Sequence, residues 1–275
     1  MQQRQGHIEV KNVTKIYDPG GANVHAVDNC SFEIKPGEFM AIVGPSGCGK
    51  TTLLNMIAGF DTVNSGEIYL DGKLIASASK RLQPGPDRVV VFQQGALFDW
   101  QTVLENIIFG PVNSGAMPRN KAIEKARELM AMAGLKGYEK DYPIRISSGM
   151  KRRVEILRAM INEPKTLLLD EPYRALDAIT KSVMHKFLLD LFDRTRKTIM
   201  FITHDLDESI FLSDMVGIMT TRPGKFKKWI RVDLPRPRDF RTRTSKRFLD
   251  LKRETLEAVH EEARKSFERG EMEKA

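Results

Sequence analysis

The run GPSGCGKT, Gly44 to Thr51, constrains this chain more than any other feature. It satisfies the pattern G-x-x-x-x-G-K-[ST] and lies between an apolar strand-like run, FMAIV, and a helical one, KTTLLNMIAG. Glycines there let the main chain wrap closely and turn several N–H groups toward one anion. In that arrangement the Lys50 ammonium neutralises β- and γ-phosphates, and the Thr51 hydroxyl is a ligand for Mg²⁺. The alternative is a glycine-rich turn carrying an exposed lysine.

A phosphate loop between strand and helix implies an α/β fold, and the rest of the chain supports one. TLLLDEP precedes a helical run to Phe192, and TIMFITHD precedes LDESIFLSDM, so βαβ units around a largely parallel, buried sheet are expected. Ahead of them, IEVKNVTKIY and CSFEIKPGEF alternate like half-exposed antiparallel strands, and GEIYLDGKLI predicts a hairpin turning at Asp71-Gly72. Residues 95–160 carry little strand character. NKAIEKARELMAMAGL has apolar residues at helical spacing, so this region is expected to be a helical insertion between two sheet strands. Pro235 and Pro237 mark a break, after which residues 244–268 look like one charged helix. No internal repeat is visible, so a second copy of any site has to come from another chain.

A phosphate cradle alone hydrolyses nothing. Asp170 and Glu171 close an apolar strand at the sheet edge where α/β proteins bind ligands. Asp170 is placed to hold Mg²⁺, directly or through water, and Glu171 to orient and deprotonate an attacking water. His204 ends the next expected strand, where an imidazole can touch a γ-phosphate and respond to its departure. Gln93, ending VVVFQ, is a further polar group that can reach Mg²⁺ or the water.

One stretch, RISSGMKRRVEILRAM from Arg145, starts oddly for a helix. Lys151, Arg152 and Arg153 stand near its beginning, where the helix dipole disfavours positive charge. Ser147 can be an ordinary N-cap, or the helix start can be an anion site whose partner is a phosphate.

Composition narrows the setting. With 41% hydrophobic and 29% charged residues the chain is suited to a soluble globular fold, and it contains no uncharged apolar run near the ~18 residues of a membrane span. MQQRQGHIEVKN has no apolar leader, so secretion is not expected. Cys30 and Cys48 form neither a metal nor a disulfide pattern. Residues 222–275 hold 17 Lys and Arg against 10 Asp and Glu, which places nearly all of the net charge of +8 there. Such a tail can meet nucleic acid, anionic lipid or water. Without stacking aromatics or a zinc-finger pattern, a solvated helical appendage is the expectation and nucleic acid is not.

Together these residues resemble the ATPase subunit of an ATP-binding-cassette transporter. The order is the family's: Tyr17, the P-loop, Gln93, a signature at 146–150, LLLDE, an ALD loop at 175–177 and His204. The resemblance implies a P-loop NTPase with a mostly parallel core sheet, an N-terminal antiparallel β-subdomain and an inserted helical subdomain at about 95–160. Residues 1–235 would be the ATP-binding domain and 236–275 a basic helical C-terminal extension. It implies ATP as substrate with Mg²⁺, held by Tyr17 stacking on adenine, by Gly44, Pro45, Ser46, Gly47, Cys48, Gly49, Lys50, Thr51 and Thr52, and by Ser147, Ser148 and Gly149 of a second copy in a head-to-tail dimer. Asp177 would contact that copy. Catalysis would fall to Glu171, His204 and Gln93, and the metal to Thr51, Gln93 and Asp170.

The family's signature is usually L-S-G-G-Q; here it is Ile146, Ser147, Ser148, Gly149 and Met150. Ser148 for the first glycine adds a Cβ and a hydroxyl beside the expected phosphate, and restricts the loop if that residue needs positive φ. Within the family VGPSGCGKTTLLNMIAGF, VFQQGALFDWQTVLENIIFG and VDLPRPRD look like the nitrate, sulfonate and taurine importer branch. That implies two transmembrane permease subunits, an extracytoplasmic solute-binding protein, and a peripheral position on the cytoplasmic face of the inner membrane. Phe98 and Trp100 would line the groove that meets the permease; the alternative for either is ordinary core packing. The alternative is a soluble or regulatory cassette ATPase acting on nucleic acid or the ribosome.

Overall fold

The computed structural model describes residues 5–268, so the outermost parts of the two expected spans, 1–4 and 269–275, lie outside the described residues. The alternating run IEVKNVTKIY forms β1 (Ile8–Tyr17), which lies within an antiparallel sheet ordered β2-β1-β4-β5. Its neighbours are β2 (Val24–Ile34), β4 (Ser65–Leu70) and β5 (Lys73–Ser77). Asp71 and Gly72 both take positive φ, 51° and 74°, as a two-residue turn matched to strand twist requires.

The second sheet runs β10-β9-β3-β8-β7-β6. Its strands are β3 (Phe39–Val43), β6 (Arg88–Val91), β7 (Thr166–Asp170), β8 (Thr198–Ile202), β9 (Met215–Met219) and β10 (Phe226–Arg231). All pairings are parallel except β10 with β9. Every residue of β3, β7 and β8 is buried, which is why these strands read as unbroken apolar runs. β9 and β10 extend the sheet beyond what the sequence patterns anticipate.

Helix α1 (Lys50–Ala58) follows the P-loop, α5 (Ala178–Thr195) follows β7, and α6 (Leu206–Leu212) follows β8. The insertion holds α2 (Val103–Asn113), α3 (Arg119–Met132) and α4 (Ser148–Met160) around an apolar cluster of its own, including Ile107, Met130 and Leu157. Thr102 starts α2 with a reciprocal capping box to Glu105. Among the described residues no helix is long and apolar enough to cross a membrane.

The C-terminal helix α7 (Lys246–Glu268) is not the solvated appendage that its charge suggests. Phe248 and Leu251, 2% and 0% exposed, join the same core cluster as Phe192 and Phe211, so one stripe of the helix is core and only the rest carries the charge. Buried Arg238 leads the chain there by donating to the carbonyls of Ile210, Phe211, Ser213 and Leu234.

Candidate nucleotide site

The parallel strands end at one edge, where Lys50, Thr51, Asp170, Glu171 and His204 collect, whereas Gln93 and Ser148 line a separate depression. Gly49 is the N-cap of α1 at φ 93°, and a Cβ on it would stand 2.4 Å from the Ala26 carbonyl, so glycine is required both by conformation and by the close approach of β2. Lys50 is 7% exposed and donates to the carbonyls of Gly44 and Pro45 at 2.8 and 2.9 Å, which holds its ammonium within the loop. Ser46 and Gly47 are exposed at the rim, whereas Cys48 is fully buried beneath it. Burial raises the Cys48 thiol, so this cysteine is a packing residue rather than a nucleophile.

Thr51, at the first turn of α1, donates to the two oxygens of Asp170 at 3.3 and 3.1 Å. Asp170 is 6% exposed; burial pushes its carboxyl up, Thr51 pulls against that, and the charge of Glu171 adds to it. Glu171 takes φ 42°, a left-handed conformation rare for a side chain of its size, and its N–H donates to the Ile202 carbonyl of β8 at 2.9 Å. Its Oε2 lies 3.2 Å from His204 Nδ1 and 3.5 Å from Arg174 Nη1. The pairing of β7 with β8 therefore brings together two of the three expected catalytic groups, Glu171 and His204, and not Gln93.

Tyr17 closes β1 on the same side. Its hydroxyl donates to Asp61 at 2.6 Å and lies 3.5 Å from the Thr52 hydroxyl, leaving a ring 40% exposed. Asp61 also accepts from Lys15 at 2.5 Å, an anchor that the sequence patterns did not single out.

Gln93 lies two residues past the end of β6, and the side chains of Gln93 and Ser148 line one depression of about 560 Å³ together with Pro172 and Leu176. Ser147 is the N-cap of α4 and accepts from the Met150 N–H at 3.3 Å. Ser148 is the first helical residue and is not among the residues of positive φ, so replacing the family's glycine with serine imposes no backbone strain here. Its N–H and that of Gly149 have no acceptor within the helix. Gly149 is the position where bulk is excluded, since a Cβ there would stand 2.6 Å from the Thr180 methyl. Asp177 caps α5 by accepting from the N–H groups of Ile179 and Thr180, and the Thr180 hydroxyl bond holds its carboxyl below the usual range.

The basic start of α4 is resolved differently from the expectation that it awaits an anion. Arg152 turns inward and donates to the carbonyls of Phe92 and Gln93 at 2.7 and 2.8 Å and to Glu155 at 2.6 Å. Arg153 donates to the Ala133 carbonyl at 2.7 Å. Glu155 in turn accepts from the Ala96 N–H, so an Arg-Glu pair clamps the Gln93 segment to the signature helix. Among the described residues, Lys151 of the three is without such a tie. Trp100 is 75% exposed beside Phe98, which it meets at 5.3 Å between ring centroids.

Thr51 and Asp170 offer hard oxygen donors suited to Mg²⁺ with phosphate and water filling the remaining positions. Among the described residues no group of three or more His, Cys, Asp or Glu is placed to hold a metal ion.

Comparison with known proteins identifies the family. Residues 27–174 match the family model described as ABC transporter. An uncharacterised ABC transporter ATP-binding protein of Methanocaldococcus jannaschii is 44% identical over 94% of both chains. An aliphatic sulfonates import ATP-binding protein of Bacillus cereus is 38% identical over 96% of both. Among solved structures, a dimeric bacterial ABC transporter cassette superposes with a TM-score of 0.70 at 32% identity, covering 85% of this chain and 100% of that one. The dimeric post-hydrolysis state of a cassette bound to ADP and Pi gives 0.70 at 31% identity over 85% and 100% of the two chains.

Proposed function

The chain belongs to the ABC transporter family of ATPases, and from that premise we propose that it drives import of a small solute of the sulfonate, taurine or nitrate kind. The observation that carries the hydrolytic part is the meeting of Thr51, Asp170, Glu171 and His204 at one sheet edge. The solute class rests on the likeness to aliphatic sulfonate import proteins, which also favours import over a soluble cassette ATPase acting on nucleic acid or the ribosome.

In this reading Tyr17 packs on the adenine, and Gly44 to Thr52 hold the phosphates through main-chain N–H groups and the Lys50 ammonium. Thr51, Asp170 and Gln93 would hold Mg²⁺, which would supply positive charge to the phosphate oxygens. Glu171 orients a water and accepts its proton as the oxygen attacks the γ-phosphate. With the Glu171 carboxylate as acceptor, His204 donates to it through Nδ1. Ser147, Ser148 and Gly149 close on the nucleotide of a second copy, a reading supported by the cap bond of Ser147 staying within α4 and by the depression that Ser148 lines, which includes no P-loop residue of its own chain. Phe98 and Trp100, next to the Gln93 segment, meet the permease.

The test uses the chain with its permease in proteoliposomes. ATP turnover and uptake of a labelled alkanesulfonate are expected to rise together. Glu171→Gln is expected to reduce both by about 10²-fold or more while ATP holds the dimer closed. Turnover that survives the substitution removes Glu171 as the base, and turnover without sulfonate uptake removes the solute assignment.

A further inference from the structure

A cavity of about 650 Å³ lies apart from the nucleotide site, between the end of α3, the start of α4, the outer face of α5 and the short 3-10 turn Phe240–Thr244. Its apolar wall is Met132, Val183, Phe187 and Leu191, with Phe240 at the edge. Its charged lining is Arg153, Lys186, Arg194, Arg238 and Arg243 against Asp190 and Asp239. The two acids are already engaged: Asp190 pairs with Lys186 at 3.2 Å, and Asp239 accepts from the N–H groups of Arg241 and Thr242.

The arginines are not matched in the same way. Arg153 donates to a carbonyl, and Arg243 to the Nδ1 of His185 at 2.6 Å. Among the described residues neither of these, nor Arg194, is in a salt bridge. Burial lowers Arg153, and burial followed by the neighbouring Arg236 brings Arg238 down to about 10 even though Asp214 stands 3.9 Å away. Volume and wall chemistry are those of a small-molecule site.

Arg243 also connects this cavity to the catalytic edge. An arginine can only donate, so His185 accepts at Nδ1 and carries its proton on Nε2, which lies 3.2 Å from Glu208 Oε1. Glu208 accepts from the Thr203 hydroxyl at 2.7 Å through its other oxygen, and Thr203 immediately precedes His204. His185 and Glu208 are each 3% exposed, so little water competes for these bonds.

We propose that this cavity is an effector site for a small amphipathic organic anion, whose apolar body packs on Val183, Phe187 and Leu191 and whose head group binds Arg243 and its neighbouring cations. Occupancy draws Arg243 from His185, loosens Glu208 and Thr203 beneath His204, and slows hydrolysis. Arg243, His185 and Glu208 act as positioning residues in this chain of contacts.

Hexanesulfonate is the probe, titrated calorimetrically into the full chain with ADP saturating the P-loop. A saturable Kd on the order of 1 mM or tighter is expected. Hexanol and inorganic sulfate, each carrying half of the recognised chemistry, should bind at least tenfold more weakly, and hexylammonium should not bind. Lys186→Glu with Arg194→Glu, both exposed positions, should weaken binding by roughly tenfold. Val183→Trp, which fills the cavity from its apolar side, should abolish it. Hexanesulfonate should lower kcat for ATP at least twofold without changing KM, a split that competition at the nucleotide site does not produce. Absence of saturable binding, binding indifferent to both variants in chains that melt like the wild type, or an unchanged kcat at saturation would each overturn the proposal.

Discussion

Burial makes Asp170 a residue that weakens the fold it serves. Its folded pKa lies above the unfolded value, so the native state binds more protons in that interval. Stability attributable to this group therefore falls as pH rises through the interval, and the full penalty is present at neutral pH. Asp170→Asn removes the charge and keeps an acceptor for Thr51. The melting temperature should rise, by about 2–4 °C for each kcal/mol relieved, while ATP turnover is lost. A lower melting temperature in thermal denaturation would show that ionised Asp170 stabilises the fold instead. Gly149 makes the opposite case, a residue whose lack of a side chain is structural. Gly149→Ala should cost about 1–3 kcal/mol through overlap with the Thr180 methyl and should lower turnover. Adding Thr180→Ser, which removes that methyl and keeps the hydroxyl on Asp177, should recover most of both losses. If the double variant is no better than the single one, the contact is not what excludes bulk at Gly149.

At the level of elements, the Arg152–Glu155 pair joins the Gln93 segment to α4, so a shift at the end of β6 is transmitted to the signature of the same chain. Arg152→Met leaves Glu155 buried without its counter-charge. Equilibrium unfolding should register a loss of about 3–5 kcal/mol, and Arg152→Met with Glu155→Leu should recover much of it without restoring turnover. Recovery of turnover by the apolar pair would deny the clamp a role in coupling. Nothing in KRRVEILRAM reveals this clamp, because its acceptors are main-chain carbonyls some 60 residues earlier in the chain. The legible parts are those set by local chemistry. The Asp71-Gly72 turn, the apolar runs of β3, β7 and β8, and the P-loop are written in consecutive residues. β9 and β10 are not: Met215–Met219 follows a helix after two residues, and the lysines of Phe226–Arg231 obscure its alternation. The inward face of α7 was hidden for a related reason, since Phe248 and Leu251 are few among many charges.

For the whole molecule, the proposed head-to-tail pairing would make the site a property of two chains. In that proposed two-fold dimer the P-loop of each copy would meet the signature of the other, so defects in these two places would complement only across the interface. Lys50→Ala removes the ammonium from one kind of chain and leaves its signature intact. Ser148→Glu, in the other kind, places a negative charge at an exposed helix start, where the dipole favours the fold and the charge repels phosphate. Each variant alone should be nearly inactive. Mixed in equal amounts, they form hetero-dimers in half of the pairings, each with one intact composite site, so about a quarter of the wild-type sites should reappear. The ATPase rate of the mixture measures this directly, with the recovered fraction rising and falling as the mixing ratio is varied around equality. A site completed within one chain gives no such recovery at any ratio, because neither variant then holds both an intact Lys50 and an intact Ser148.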